Sequence, residues 1–76
     1  MMTPDELHEA RRTLGELWGK GRPLKASELG RALRLGGKEP GQSIRDYERG
    51  VTRISGPISV AVQMMLNGAL PPDGIP

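Results

Sequence analysis

"EPGQSIRDYERG", residues 39–50, decides the fold: a proline-led polar start, two apolar residues three apart, and a closing glycine. That spacing puts Ile44 and Tyr47 on one face of a helix, and Pro40 suits a first turn whose backbone N–H groups have no intrahelical acceptor. Gly50 falls just past the helix end, where a positive φ costs glycine least. The stretch therefore predicts a helix over about 40–49, held from behind by Ile44 and Tyr47, with Gln42, Ser43, Arg45, Asp46 and Arg49 on its outer side.

Upstream, "ASELGRALRL" places Leu29, Ala32 and Leu33 at helical spacing, with Glu28 early and Arg31 and Arg34 late, as the helix dipole favours. A helix over about 26–35 follows, and "GGKEPG" ends it. Before it, "WGKGRP" combines two glycines with a proline and reads as a connection, with Trp18 packing over the core from its edge. Thr3, Pro4 and Glu6 form an N-cap, a first-turn proline and a capping-box partner, so a helix starts there and runs over about 4–16. Leu7, Ala10, Leu14 and Leu17 form its apolar stripe. Downstream, Pro57 opens a fourth helix over about 57–67. Ile58, Ala61, Val62 and Met65 face its core side, while Val60 and Met64 fall on another side that suits a second chain. The expected class is all-α: one domain of four short helices over 1–67, then an irregular, proline-rich tail over 68–76.

The whole chain has 76 residues, no cysteine, no phenylalanine, and one tryptophan and one tyrosine. A domain of this size buries only about 60% of its unfolded surface, so a partner that covers further apolar area is expected. Without cysteine there are no disulfides, thiolate metal ligands or cysteine nucleophiles, which suits a reducing compartment. The longest apolar run, in "GPISVAVQMMLNGAL", is too short and interrupted to span a bilayer, and "MMTPDELHEARR" lacks the apolar core of a secretory signal. A cytoplasmic protein is expected, with no membrane partner.

Formal net charge is only +2, yet between Lys20 and Arg53 nine basic residues face four acids. A basic centre of this kind suits a polyanion, because neutralised phosphates release condensed counterions. Two short helices joined by a glycine-containing turn, the second carrying polar residues at its front and apolar ones behind, make a helix-turn-helix. The major groove is about 12 Å wide and admits one α-helix. Gln42, Ser43, Arg45 and Asp46 are then the candidate base contacts, since carboxamides suit adenine, hydroxyls donate or accept, and arginine grips guanine or phosphate. Lys25, Ser27, Lys38, Arg49 and Arg53 are candidate phosphate contacts.

On "LKASELGRALRL" and "QSIRDYERG" the chain resembles the phage repressor and Cro-like family, also called xenobiotic-response-element-type regulators, from about Thr3 to Leu66. The likeness is most specific at Leu29, Ile44, Tyr47, Glu48 and Gly50. It implies a dimeric, sequence-specific DNA-binding repressor in which Gln42, Ser43, Arg45 and Asp46 touch bases. The chain departs from the family in the longer turn "RLGGKEPG", in Gly30 where alanine is preferred, and in lacking a fifth helix. Dimerisation falls to the fourth helix or the tail, and double-stranded DNA and a second copy are the implied partners.

Blander roles compete at several positions. Gln42 and Ser43 could simply be solvated, and Arg45, Arg49 and Arg53 could pair with Asp46 or Glu48. Glu48 itself reads as structural, bonded to backbone or to an arginine. His8 has no second ligand at metal spacing, and "GGK" lacks both the upstream glycine and the following Ser or Thr of a phosphate loop. Neither a metal nor another cofactor is expected. Met64 and Met65 read as packing. No hydroxyl–histidine pair or catalytic carboxylate pair stands out, so enzyme chemistry is not expected. The rival function is a protein-interaction module, an antitoxin or adaptor using the fourth helix; a structured-RNA binder is disfavoured by the scarcity of aromatics.

Overall fold

The computed structural model describes residues 2–76, which form four helices and no strand. These are α1 (Pro4–Leu17), α2 (Ala26–Ala32), α3 (Pro40–Glu48) and α4 (Gly56–Leu66). α1 opens on the expected capping box: Thr3 accepts from the Glu6 N–H at 3.2 Å, and Glu6 accepts from the Thr3 N–H at 2.8 Å. At α4, Ser55 caps the Ile58 N–H.

α2 stops at Ala32, short of the expected end at 35. Arg34, ahead of both following glycines, already takes the left-handed conformation at φ +55°, and Gly37 follows at φ +94°. The Leu35 N–H then bonds the Gly30 carbonyl at 2.9 Å and the Arg34 N–H bonds that of Arg31, which turns the chain out of the helix one turn early. α3 ends as its sequence indicates, with Gly50 at φ +75° just past the cap.

The core gathers side chains from every helix: Leu7, Ala10 and Leu14 from α1, Leu29 and Ala32 from α2, Ile44 from α3, Val62 and Met65 from α4. Leu24 and Ile54, from the connections, complete it. Trp18 and Tyr47 pack on its edge. Leu17, expected on the apolar stripe, is instead 57% exposed.

α2 and α3 form the closest pair, and α1 packs against both α3 and α4. The crossing of α2 and α3 is made by backbone. A methyl group at Gly30 would lie 2.0 Å from the Pro40 carbonyl oxygen, and one at Gly41 would lie 2.7 Å from the Ser27 nitrogen. α3 thus begins directly across α2, with nothing larger than hydrogen between them. Residues 68–76 form no helix and run back toward α2, where Asp73 accepts two bonds from Arg34, both at 2.8 Å, and the Lys20 ammonium bonds the Pro76 carbonyl. Among the described residues, no helix is long and apolar enough to cross a membrane.

Candidate nucleic-acid interface

α3 shows two faces. Gly41 and Ile44 are buried, and Tyr47 and Glu48 are half-buried, so this side is the anchored one. Around the opposite side Gln42, Arg45 and Arg49 are exposed and Asp46 is half-exposed, at helical steps of three and four that make one outward stripe. Ser43 stands about 100° around the helix from Gln42, half-buried on the shoulder toward Tyr47. Of the four candidate base contacts, three therefore share the stripe and Ser43 borders it.

The stripe is internally bonded. Gln42 Nε2 donates to Asp46 Oδ1 at 3.0 Å, and Arg45 Nη2 donates to Glu39 Oε2 at 3.3 Å across the first turn. All four side chains stay at the surface, and exposed pairs of this kind contribute only about 0–1 kcal/mol, so a phosphate can draw Arg45 away from Glu39. The Arg45–Glu39 pairing differs from the expected Asp46 or Glu48 neighbours, because Glu39, as N-cap residue, sits beside the start of the helix.

Behind the stripe, Glu48 is held by Arg11 of α1. The guanidinium donates from Nε and Nη2 to the two carboxylate oxygens, each at 2.9 Å, and from Nη1 to the Leu24 carbonyl at 2.7 Å. His8 Nδ1 lies 3.1 Å from the same carboxylate. One arginine thus ties α1, the connection before α2, and the end of α3. The expectation that Glu48 bonds an arginine holds, though the arginine lies 37 residues away in sequence.

The basic centre divides into paired and unpaired groups. Arg22 donates to both oxygens of Glu28, at 2.8 and 3.1 Å, with Lys20 at 3.5 Å and the Lys25 N–H at 2.8 Å. These contacts, led by the Arg22 bonds, hold the buried Glu28 carboxyl down at about 2 against an ordinary 4.5. Arg34 is bound to Asp73, which lowers the Asp73 carboxyl and raises the guanidinium. Among the described residues Lys25, Arg31, Lys38, Arg49 and Arg53 have no ion-pair partner, and all are exposed. Four of them are candidate phosphate contacts.

Their positions follow the helix crossing. Lys25 is the N-cap residue of α2, half-buried Ser27 sits in its first turn against Gly41, and Lys38 precedes α3, so these three border the front of the stripe. Arg49 caps the other end of α3, and Arg53 follows in the connection to α4.

A second, uncharged surface lies on α4. Val60 is 57% and Met64 56% exposed, and Leu70 of the tail is 67% exposed. A groove of about 270 Å³ runs between α4, the end of α2 and the tail, lined by Leu33, Ala61, Met64, Leu70 and Pro71 among others. From Ile54 to Pro72 the chain carries no charged side chain. No protein-family model matches the chain, and neither a curated protein nor a solved structure is matched by it.

Proposed function

We propose that the protein is a sequence-specific, double-stranded-DNA-binding regulator of the repressor and Cro-like helix-turn-helix type, acting without catalysis in the cytoplasm, at the nucleoid. It lays α3 in the major groove, pairs with a second copy through the Val60 and Met64 side of α4, and represses by occluding a two-fold-related site. The supporting observation is the outward stripe of Gln42, Arg45, Asp46 and Arg49 on a helix fixed from behind by Ile44 and Glu48, with unpaired cations at both of its ends. The groove demands this division of labour: cations set register on phosphates while a few side chains read base edges.

Selection from random duplex DNA, followed by binding across about 50–200 mM salt, tests the proposal. Lys25, Lys38, Arg49 and Arg53 at about −0.9 each predict a log–log slope near −3 to −4 per protomer, and removing one should cut it by about one. The absence of any enriched sequence, together with a flat salt response, would dispose of the DNA reading. The exposed Val60, Met64 and Leu70 favour a second reading, a protein-interaction module such as an antitoxin or adaptor, in which the apolar face binds a different protein and affinity barely depends on salt.

A further inference from the structure

We propose that Asp46 is a positioning residue that fixes the carboxamide of Gln42 so that the pair selects adenine and rejects guanine. The inference rests on the DNA-binding reading above and gives it a base preference.

The carboxamide donates one N–H to Asp46 Oδ1 at 3.0 Å, one helical turn further along the same stripe. An ionised carboxylate only accepts, so the reverse amide orientation would set two oxygens against each other. The orientation is therefore fixed by charge. What remains on the outward edge is the carbonyl oxygen of Gln42 and its second N–H, an acceptor beside a donor. Adenine presents the complementary donor and acceptor, N6–H and N7, in the major groove. Guanine presents two acceptors, O6 and N7. To satisfy both, Gln42 would have to take its N–H away from Asp46 and bring the carboxylate up to an electron-rich edge. Asp46 thus disfavours guanine twice, by holding the amide and by its own charge.

The side chain of Asp46 has no second partner among the described residues, and it is half-exposed, so its replacement leaves the core intact. Asp46→Asn keeps an oxygen that can accept from Gln42 but adds an N–H that can donate to the Gln42 carbonyl, so it no longer excludes the reversed amide; Asp46→Ala loses the partner altogether. Both changes should raise overall affinity at low salt, because each removes a negative charge from the DNA face. Both should also relax the base preference, because neither variant forbids the reversed amide.

The experiment is selection from random duplexes with the wild-type full chain, Gln42→Ala, Asp46→Ala and Asp46→Asn, each checked for folding by circular dichroism. Gln42→Ala identifies the base position read by the carboxamide. The expected result is adenine there in the wild type, by about 5- to 150-fold over guanine. Asp46→Asn and Asp46→Ala should each reduce this preference severalfold. The positioning role is overturned if Asp46→Ala or Asp46→Asn selects adenine as strongly as the wild type. A wild type that enriches a sequence with guanine at that position also overturns it while leaving DNA recognition standing. A wild type that enriches nothing removes both.

Discussion

Glu28 is the residue on which acid stability turns. It is buried and accepts from Arg22 and the Lys25 N–H, with the Lys20 ammonium beside it, and its carboxyl is held at about 2. Folded protein therefore binds this proton more weakly than unfolded protein, so the stabilisation is complete above about pH 4.5 and is lost as the pH falls toward 2. Glu28→Gln should cost about 2 kcal/mol at neutral pH and flatten that acid limb in denaturant titrations. Arg22→Ala should cost less, because Arg22 is largely exposed and Lys20 can take up part of its role. Ser59 is the opposite case. Its buried hydroxyl has no partner among the described atoms, so Ser59→Ala should be neutral to stabilising by about 1 kcal/mol, read as a rise in melting temperature. Neither environment was visible in the sequence. Glu28 read as an early-turn acid, and Arg22 and Lys20 as part of a basic surface, because the chain reversal that brings them together depends on Leu24 bonding back to Arg11.

At the scale of elements, the placement of α3 depends on α2. Alanine at Gly30 would gain up to about 1 kcal/mol of helix propensity, yet its methyl would have to occupy space 2.0 Å from a backbone oxygen. Separation of the two helices wins. Gly30→Ala should destabilise by about 1–3 kcal/mol in urea unfolding and, on the DNA-binding reading proposed above, should weaken duplex binding more than the loss of folded protein explains. The helices themselves were legible, because Thr3, Pro40, Gly50 and Pro57 mark ends through local chemistry that needs no tertiary context. The early end of α2 was not legible, since Arg34 adopts a backbone conformation that its side chain disfavours and the neighbouring glycines are the more obvious candidates. Leu24 and Ile54 escaped helical periodicity because they precede N-caps. The signal that could have found Leu24 is the staple pattern, an apolar residue before the cap and another at the fourth helical position, here Leu24 with Leu29 and likewise Met2 with Leu7.

For the whole molecule, charge is sorted into regions. Unpaired cations border both ends of α3, whereas Ile54–Pro72 has no charge at all. Two copies can bring such faces together without electrostatic cost. A charge placed there should oppose that: Val60→Glu or Met64→Glu should leave the monomer folded, since both positions are more than half exposed, while, on the dimeric DNA-binding reading proposed above, sedimentation shifts from dimer to monomer and binding to paired half-sites falls steeply. The second apolar side of α4 was evident from the spacing of Val60 and Met64. The groove beside it was not, because the return of the tail is set by Asp73 reaching Arg34 across 39 residues.

A junction in which two main chains touch, as at Gly30 and Gly41, contains no rotamers to rearrange. Its angle is consequently insensitive to the substitutions that ordinarily tune how one helix leans on another. Exchanges at Gln42, Arg45, Asp46 and Arg49, on the outward side of α3, can therefore change what that helix presents while its pitch against α2 stays clamped.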